Sequence, residues 1–211
     1  LYASFAVLLT GTFELQNGGV YYHDNTGQVT AGAGTSIFGG NESFAPGSTC
    51  EIRNWINHTT PLPASVNWGN LVINYNGSIG GNWNQQGALT SIQGNLIIKR
   101  TGTTGQDFRL TNNTSVALTI GQNLEIDLAS LYIKDGNANG TTSLVQVNGD
   151  ITINNGSLNL GTVDFKPNNE LRFKGNLLVT GTGLITALSE DPMLVANSNT
   201  VQSFYSSTIL N

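Results

Sequence analysis

The sequence has little cysteine, little charge and no long apolar run, and each shortage argues against a class of protein. Cys50 is the only cysteine among 211 residues, so no internal disulfide can form. Charged residues make up 10% of the chain, and Lys and Arg together number eight, which leaves no basic surface for nucleic acid. No apolar run reaches the roughly 18 residues that a membrane span requires, so we predict no membrane insertion.

The chain is instead rich in glycine, with 26 Gly, and in short alternating apolar pairs. The stretch "VQVNGDITINNGSLNLG" at 145–161 has apolar residues at 145, 147, 151, 153, 158 and 160. Members of a pair lie two positions apart, which is the side-chain period of a β-strand and not that of a helix. The Gly and Asn residues between the pairs favour tight corners. The stretch therefore predicts three very short strands that form one triangular turn.

The same spacing recurs along the chain, beginning at residues 7, 118 and 171 as well as at 145. Residues Leu71, Leu96, Leu124, Ile151 and Leu177 follow one another at intervals of 25, 28, 27 and 26. A period of this length with alternating apolar pairs is typical of a solenoid. We therefore predict an all-β, right-handed parallel β-helix of about eight triangular coils, with the hand taken from the preference of parallel crossovers. The middle residue of each triplet should point outward, which includes Tyr21, Tyr132 and Ile185.

The repeat predicts one domain, a single β-helix solenoid segment over residues 1–211. Residues 23–65 fit the repeat worst and contain Pro46, Pro61 and Pro63, so we expect a loop to leave the coils there. The chain begins at Leu1 and not at Met, so we expect it to be a segment of a longer repeat protein or a mature chain whose leader has been removed. Adjoining coils of that longer chain would then be its nearest partners.

Four polar residues fall at the same corner of successive repeats, namely Asn95, Asn123, Asp150 and Asn176. Stacked Asn side chains can hydrogen-bond from one coil to the next, so we interpret these residues as a structural corner ladder. The alternative is a metal or catalytic site built around Asp150.

Three aromatic residues, Trp55, Trp83 and Tyr75, lie close together in sequence and are candidate glycan ligands, because aromatic faces stack on sugar rings. For Trp55 and Trp83 a packing role is equally open. Trp68 precedes "GN" at an inward position, which favours the core. The two histidines, His23 and His58, belong to no spaced set of ligands, so we interpret them as surface residues and predict no metal site.

A polysaccharide-cleaving enzyme would need two carboxylates about 5 to 10 Å apart. The predicted outward faces do not bring two acidic residues together beside a base, and Glu125 and Arg172 fall on different faces. We therefore predict no catalytic residue and no cofactor.

The wording "VNWGNLVINYNG", "SIQGNLIIKRTG", "LTIGQNLEIDLASL" and "VNGDITINNGSLNLG" resembles the repetitive β-helical regions of large secreted or cell-surface proteins of Bacteroidetes-type bacteria. Those proteins include adhesin-like molecules and are commonly exported by the type IX secretion system. The resemblance is best over residues 66–186 and supplies no catalytic motif. It implies an extracellular location, with surface glycans or other cell-surface proteins as partners.

Pattern and resemblance together predict a non-catalytic structural or adhesive segment that forms a stiff stalk or fibre. The alternative is a carbohydrate-binding or polysaccharide-cleaving β-helix, with Trp55 and Trp83 near its site.

Overall fold

The structure, a computed structural model, describes residues 2–3, 12–24, 38, 42–53, 61–75, 82–101, 107–136, 141–161, 169–187, 192–198 and 202–206. All regular secondary structure in these ranges is β-strand, and every pair of neighbouring strands is parallel. The predicted class, an all-β parallel β-helix, is confirmed.

Most strands are two to five residues long, as the short apolar pairs predict. In chain order they are β1 Tyr2–Ala3, β2 Phe13–Leu15, β3 Val20–Asp24, β4 Glu42–Phe44, β5 Thr49–Arg53, β6 Asn70–Tyr75, β7 Trp83–Asn84, β8 Ser91–Ile92, β9 Leu96–Arg100, β10 Asp107–Arg109, β11 Val116–Ile120, β12 Leu124–Asp127, β13 Ser130–Tyr132, β14 Ser143–Val147, β15 Ile151–Asn154, β16 Ser157–Asn159, β17 Asn169–Phe173, β18 Leu177–Thr180, β19 Leu184–Thr186, β20 Pro192–Ala196 and β21 Phe204–Ser206.

The strands stack into three long sheets, one on each side of the coil. Sheet A has nine strands in the order β1, β3, β5, β6, β9, β12, β15, β18 and β21. Sheet B contains β8, β11, β14, β17 and β20, and sheet C contains β7, β10, β13, β16 and β19. A two-stranded sheet pairs β2 with β4. At the usual strand separation of about 4.8 Å, the nine strands of sheet A form a rod about 40 Å long.

From β7 onward the chain visits sheets C, B and A in turn, and it does so five times. The described residues therefore form five complete triangular turns, and the predicted count of eight was too high. That count assumed a uniform repeat over the whole chain. Tyr21, Cys50 and Leu71 pair in succession in sheet A. Their intervals, about 29 and about 21 residues, depart from the regular period of a solenoid repeat.

The core is a set of columns in which equivalent residues of successive coils stack. One column in sheet A contains Tyr21, Cys50, Leu71, Leu96, Leu124, Ile151 and Leu177, which pair one after another and are at most 3% exposed. Burying a Leu or Ile side chain contributes about 1.5 to 3 kcal/mol relative to leaving it exposed. The apolar column that was read from the sequence between Leu71 and Leu177 is therefore the core of the rod.

Near both ends of the rod, the predicted assignment of inward and outward side chains is wrong by one residue. Tyr21 was expected to point outward, but it is 3% exposed while Val20 is 38% exposed. Ile185 likewise packs against the core, and its neighbour Leu184 is 41% exposed. Ile185 pairs with Leu158, the core residue of the preceding coil. A shift of one residue moves a side chain to the opposite face of a strand, so consecutive apolar residues leave the frame ambiguous.

Candidate functional site

The corner between sheets B and A contains a continuous ladder of side-chain to backbone hydrogen bonds. In each rung the side-chain oxygen of one coil accepts a hydrogen bond from the backbone N–H of the equivalent residue one coil later. The rungs are Asn95 N to Asn70 Oδ1 at 2.9 Å, Asn123 N to Asn95 Oδ1 at 3.0 Å, Asp150 N to Asn123 Oδ1 at 2.8 Å, Asn176 N to Asp150 Oδ1 at 2.6 Å and Ser203 N to Asn176 Oδ1 at 3.0 Å. The structure thus places the four predicted residues in one column and adds Asn70 and Ser203 to it.

Glycine at the preceding position makes room for the acceptor oxygen. A Cβ at Gly149 would lie 2.2 Å from Asn123 Oδ1, and one at Gly175 would lie 2.1 Å from Asp150 Oδ1. Real Cβ atoms do not approach oxygen this closely, so any larger residue would displace the rung. The ladder is therefore a joint property of two adjacent positions, and Asp150 acts in it as a hydrogen-bond acceptor.

Trp83 does not form a glycan-binding surface, because its side chain points into the core. It is 1% exposed and meets Phe108 edge to face, with ring centroids 5.3 Å apart. A sugar cannot stack on an indole whose faces are covered by protein, so Trp83 is a packing residue. Trp68 is also 1% exposed, and it stacks on Phe44 with a centroid distance of 5.3 Å.

The side chains of the other two glycan candidates are not among those that the structure describes. Trp55 lies outside the described residues, as does His58. Tyr75 is the last residue of β6, where its backbone pairs with Arg100.

His23 is buried, contrary to its interpretation as a surface histidine. Its Nδ1 lies 3.0 Å from the Tyr21 hydroxyl, and both side chains point into the first coils. Burial raises the pKa of the Tyr21 phenol and of the neighbouring Cys50 thiol, the adjacent Glu42 adding to both effects. Both groups therefore stay uncharged at neutral pH, and a buried neutral thiol is unreactive.

Glu51 is the centre of a compact ionic cluster on the outer side of sheet A. Its Oε1 accepts hydrogen bonds from Arg53 Nε and Asn74 Nδ2, each at 2.8 Å, and lies 3.7 Å from Lys99 Nζ. Burial alone would raise the pKa of Glu51, but the two hydrogen bonds and the charges of Lys99 and Arg53 outweigh it and lower the pKa below its usual value. The Arg53 guanidinium also lies 4.0 Å from the Tyr22 ring centroid. A carboxylate held by so many donors is a poor general base, so this cluster is structural.

The outer side of sheet C carries a second ionic cluster. Arg109 forms ion pairs with Asp107, at 3.3 Å, and with Asp135, and its guanidinium lies over the Tyr132 ring at 5.2 Å. Both carboxylates are therefore already engaged with a cation. This arrangement does not supply the free acid and base that glycosidic cleavage needs.

Lys134 is a buried cation that no sequence motif indicates. Lys134 is 4% exposed, and its ammonium donates hydrogen bonds to the Thr141 carbonyl oxygen at 3.4 Å and to the Thr141 hydroxyl. Burial lowers the pKa of Lys134. Its contacts tie two ends of one corner segment together, which is a structural role.

A shallow depression of about 200 Å³ lies at the corner between sheets A and C. Its lining includes Arg100, Leu128, Ser130, Ser157 and Leu184, which come from successive coils. A second depression, of about 280 Å³, lies on sheet B beside the Glu170–Arg172 ion pair. The first one combines a cation, hydroxyl groups and apolar side chains, and its described lining contains no carboxylate.

Within the described ranges, no group of three or more His, Cys, Asp or Glu side chains is placed to hold a metal ion. The same ranges contain no helix with the length and hydrophobicity of a membrane span. No family model, curated protein or solved structure matches this chain.

Proposed function

We propose that this chain is a structural and adhesive segment of a secreted or cell-surface bacterial protein, and that it forms a stiff β-helical stalk or fibre. The observation that carries the proposal is the unbroken stacking of nine parallel strands in sheet A. Backbone hydrogen bonds between coils run along the axis of the rod, so bending or stretching the rod must break several of them together. A stalk requires this kind of resistance.

The corner ladder supports the same function. It adds at least one hydrogen bond per coil at the corner between sheets B and A, parallel to the axis of the rod. Such bonds contribute about 0.5 to 1.5 kcal/mol each, and a column of them stabilises every coil against its neighbours. The ion pairs of Glu51 and Arg109 similarly link side chains within one coil and between coils.

The extracellular location and the type IX route rest on the sequence resemblance. A single buried thiol is compatible with an oxidising environment outside the cell. Adjoining coils of a longer chain, surface glycans and other cell-surface proteins are the partners that we propose.

Single-molecule pulling tests the mechanical part of the proposal. The chain would be fused between two marker domains and stretched from its ends. We expect it to resist and then to lengthen in steps of about 90 Å, since one coil of about 27 residues extends by about 3.5 Å per residue. Extension without a force plateau would overturn the stalk function.

Labelling of intact source cells tests the location. An antibody against the folded chain should stain unpermeabilised cells, and added protease should remove the signal. Staining that appears only after permeabilisation would contradict a surface location.

The specific observation that favours the alternative, carbohydrate binding, is the depression at the corner of sheets A and C.

A further inference from the structure

We propose that the depression between sheets A and C binds a carboxylate-bearing sugar, such as a uronate residue of an acidic polysaccharide. The inference builds on the adhesive part of the function proposed above, because it names the class of ligand that the stalk would hold. It rests on three independent features of the lining.

The first feature is the cation. Arg100 lines the depression at the end of β9, and among the described residues its side chain has neither an ion pair nor a hydrogen bond. Arg109 and Arg172, by contrast, each hold a carboxylate of this chain. The described lining also contains no acidic residue. A guanidinium with this freedom can bind a carboxylate through two parallel hydrogen bonds.

The second feature is a row of hydroxyl groups parallel to the rod axis. Ser157 Oγ donates to Ser130 Oγ at 2.8 Å, so the hydroxyl hydrogen of Ser130 remains available for a ligand. In the next coil Leu184 is in register with Ser157, and Thr182, two residues earlier, lines the depression and donates from its hydroxyl to Asn155 Oδ1. Hydroxyl groups that both donate and accept are suited to sugar hydroxyls.

The third feature is Leu128, an exposed apolar residue with a strained backbone conformation. Leu128 has a φ of +55° and is 43% exposed. The equivalent corner positions of the next two coils hold Asn155 and Gly181, residue types that adopt the left-handed conformation readily. Leucine in this conformation is strained, and an exposed side chain returns little core packing. Strain of this kind is characteristic of functional surfaces, where the side chain contacts a ligand.

Leu184 adds a second exposed apolar group to the same depression. A pyranose ring has apolar C–H patches beside its hydroxyls, so two leucines next to a hydroxyl row match its two kinds of surface. Arg100 then binds the carboxylate of the sugar, which favours an acidic sugar over a neutral one.

The net charge of the chain makes this selection testable. With a formal charge of −5, the protein repels polyanions as a whole, so binding to one must come from a local site. We would measure binding of polygalacturonate, alginate and hyaluronate at 0.15 M salt, with methyl-esterified polygalacturonate as the uncharged control.

Two matched variants locate the site. Arg100→Gln removes the free cation, whereas Arg172→Gln removes an arginine that is already paired on sheet B. We expect at least one acidic polymer to bind, about tenfold weaker binding for Arg100→Gln, and a change of less than about twofold for Arg172→Gln. Absence of binding to all three polymers, or equal losses for the two variants, would overturn the proposal.

Leu128→Asn provides a readout that a purely structural role would not give. Asparagine suits the left-handed backbone, so we expect a higher melting temperature together with weaker polymer binding. A variant that is stabilised and binds as tightly as the parent would remove Leu128 from the site. The pulling measurement on Arg100→Gln separates this proposal from the stalk function, since the steps should be unchanged when binding is lost.

Discussion

Asp150 Oδ1 accepts a hydrogen bond from the backbone N–H of Asn176 at 2.6 Å, across one full turn of the rod. The carboxylate also lies 3.3 Å from Asn176 Nδ2, so it serves two donors of the next coil. We expect Asp150→Ala to lower the free energy of unfolding by about 1 to 2 kcal/mol, because a charged acceptor is lost. Asp150→Asn should be close to neutral, since the carboxamide oxygen replaces the lost acceptor.

Urea denaturation of the three proteins checks this prediction. Asn148→Ala is the matched control, since it truncates an exposed side chain two residues away that takes no part in the ladder. An equal loss in Asn148→Ala and Asp150→Ala would contradict a specific role for the rung.

The fit between Gly149 and Asn123 predicts a dependence between two positions. Gly149→Ala would place a Cβ 2.2 Å from Asn123 Oδ1, and we expect this clash to cost about 2 kcal/mol or more. Asn123→Ala removes the clashing oxygen and breaks its own rung. The double variant should therefore be more stable than the sum of the two single effects implies, as a double-mutant cycle by thermal or urea unfolding would show. Simple additivity would mean that the two positions do not share one rung.

The burial of Trp83 predicts that its loss affects stability and not ligand binding. Trp83→Ala should cost about 3 to 5 kcal/mol, because it empties a large volume next to Phe108. Trp83→Phe keeps an aromatic ring in the column and should cost much less. Melting temperature and polymer binding would be measured on both variants. Loss of polymer binding in a fully stable Trp83→Ala protein would contradict the packing role and show that Trp83 contacts the ligand.

Glu51 predicts a dependence of stability on pH. Its pKa is lower in the folded chain than in the unfolded one, so the unfolded state binds more protons as the pH falls. The stabilisation by Glu51 is therefore fully present at neutral pH and is lost on acidification, below the ordinary value of 4.5 and through the folded one. At pH 7 we expect Glu51→Gln to cost about 2 kcal/mol, and this difference should shrink as the pH falls below 4.5.

The control for this series is Glu125→Gln. Glu125 occupies the same outward row of sheet A but is exposed. Its replacement should change stability little at any pH. A loss that is constant from pH 7 to pH 3 for Glu51→Gln would show that the ion pairs are not its cause.

The central coils could be predicted because their apolar pairs recur at the repeat period. Leu96, Leu124 and Ile151 recur at intervals of 28 and 27 residues, each with an Ile two positions later, so the repeat identifies the buried face even where a third apolar residue lies between the two. At Val20 and Tyr21, and again at Leu184 and Ile185, adjacent residues are both apolar. The frame there is decided by pairing with the previous coil, which no local pattern reveals.

The depression could not be predicted for a related reason. Arg100, Leu128 and Leu184 belong to different coils and meet only after the chain has stacked. The sequence left the packing and glycan-binding roles of Trp83 equally open because β7 has only two residues, and two residues do not define an alternation. Corner residues such as Asn95 and Asn123 were easier, since they recur at the repeat period itself.

The direction of the ladder has a consequence for how such a chain can change in length. Every rung joins a side chain to the backbone of the next coil at the same corner, with spacings of 25 to 28 residues. Excision of residues 124–150 would bring Asn123 directly before Ile151, with donor, acceptor and buried column again in place. Whole coils are thus interchangeable units. Duplication or deletion of the gene segment that encodes one coil lengthens or shortens the rod without altering its cross-section.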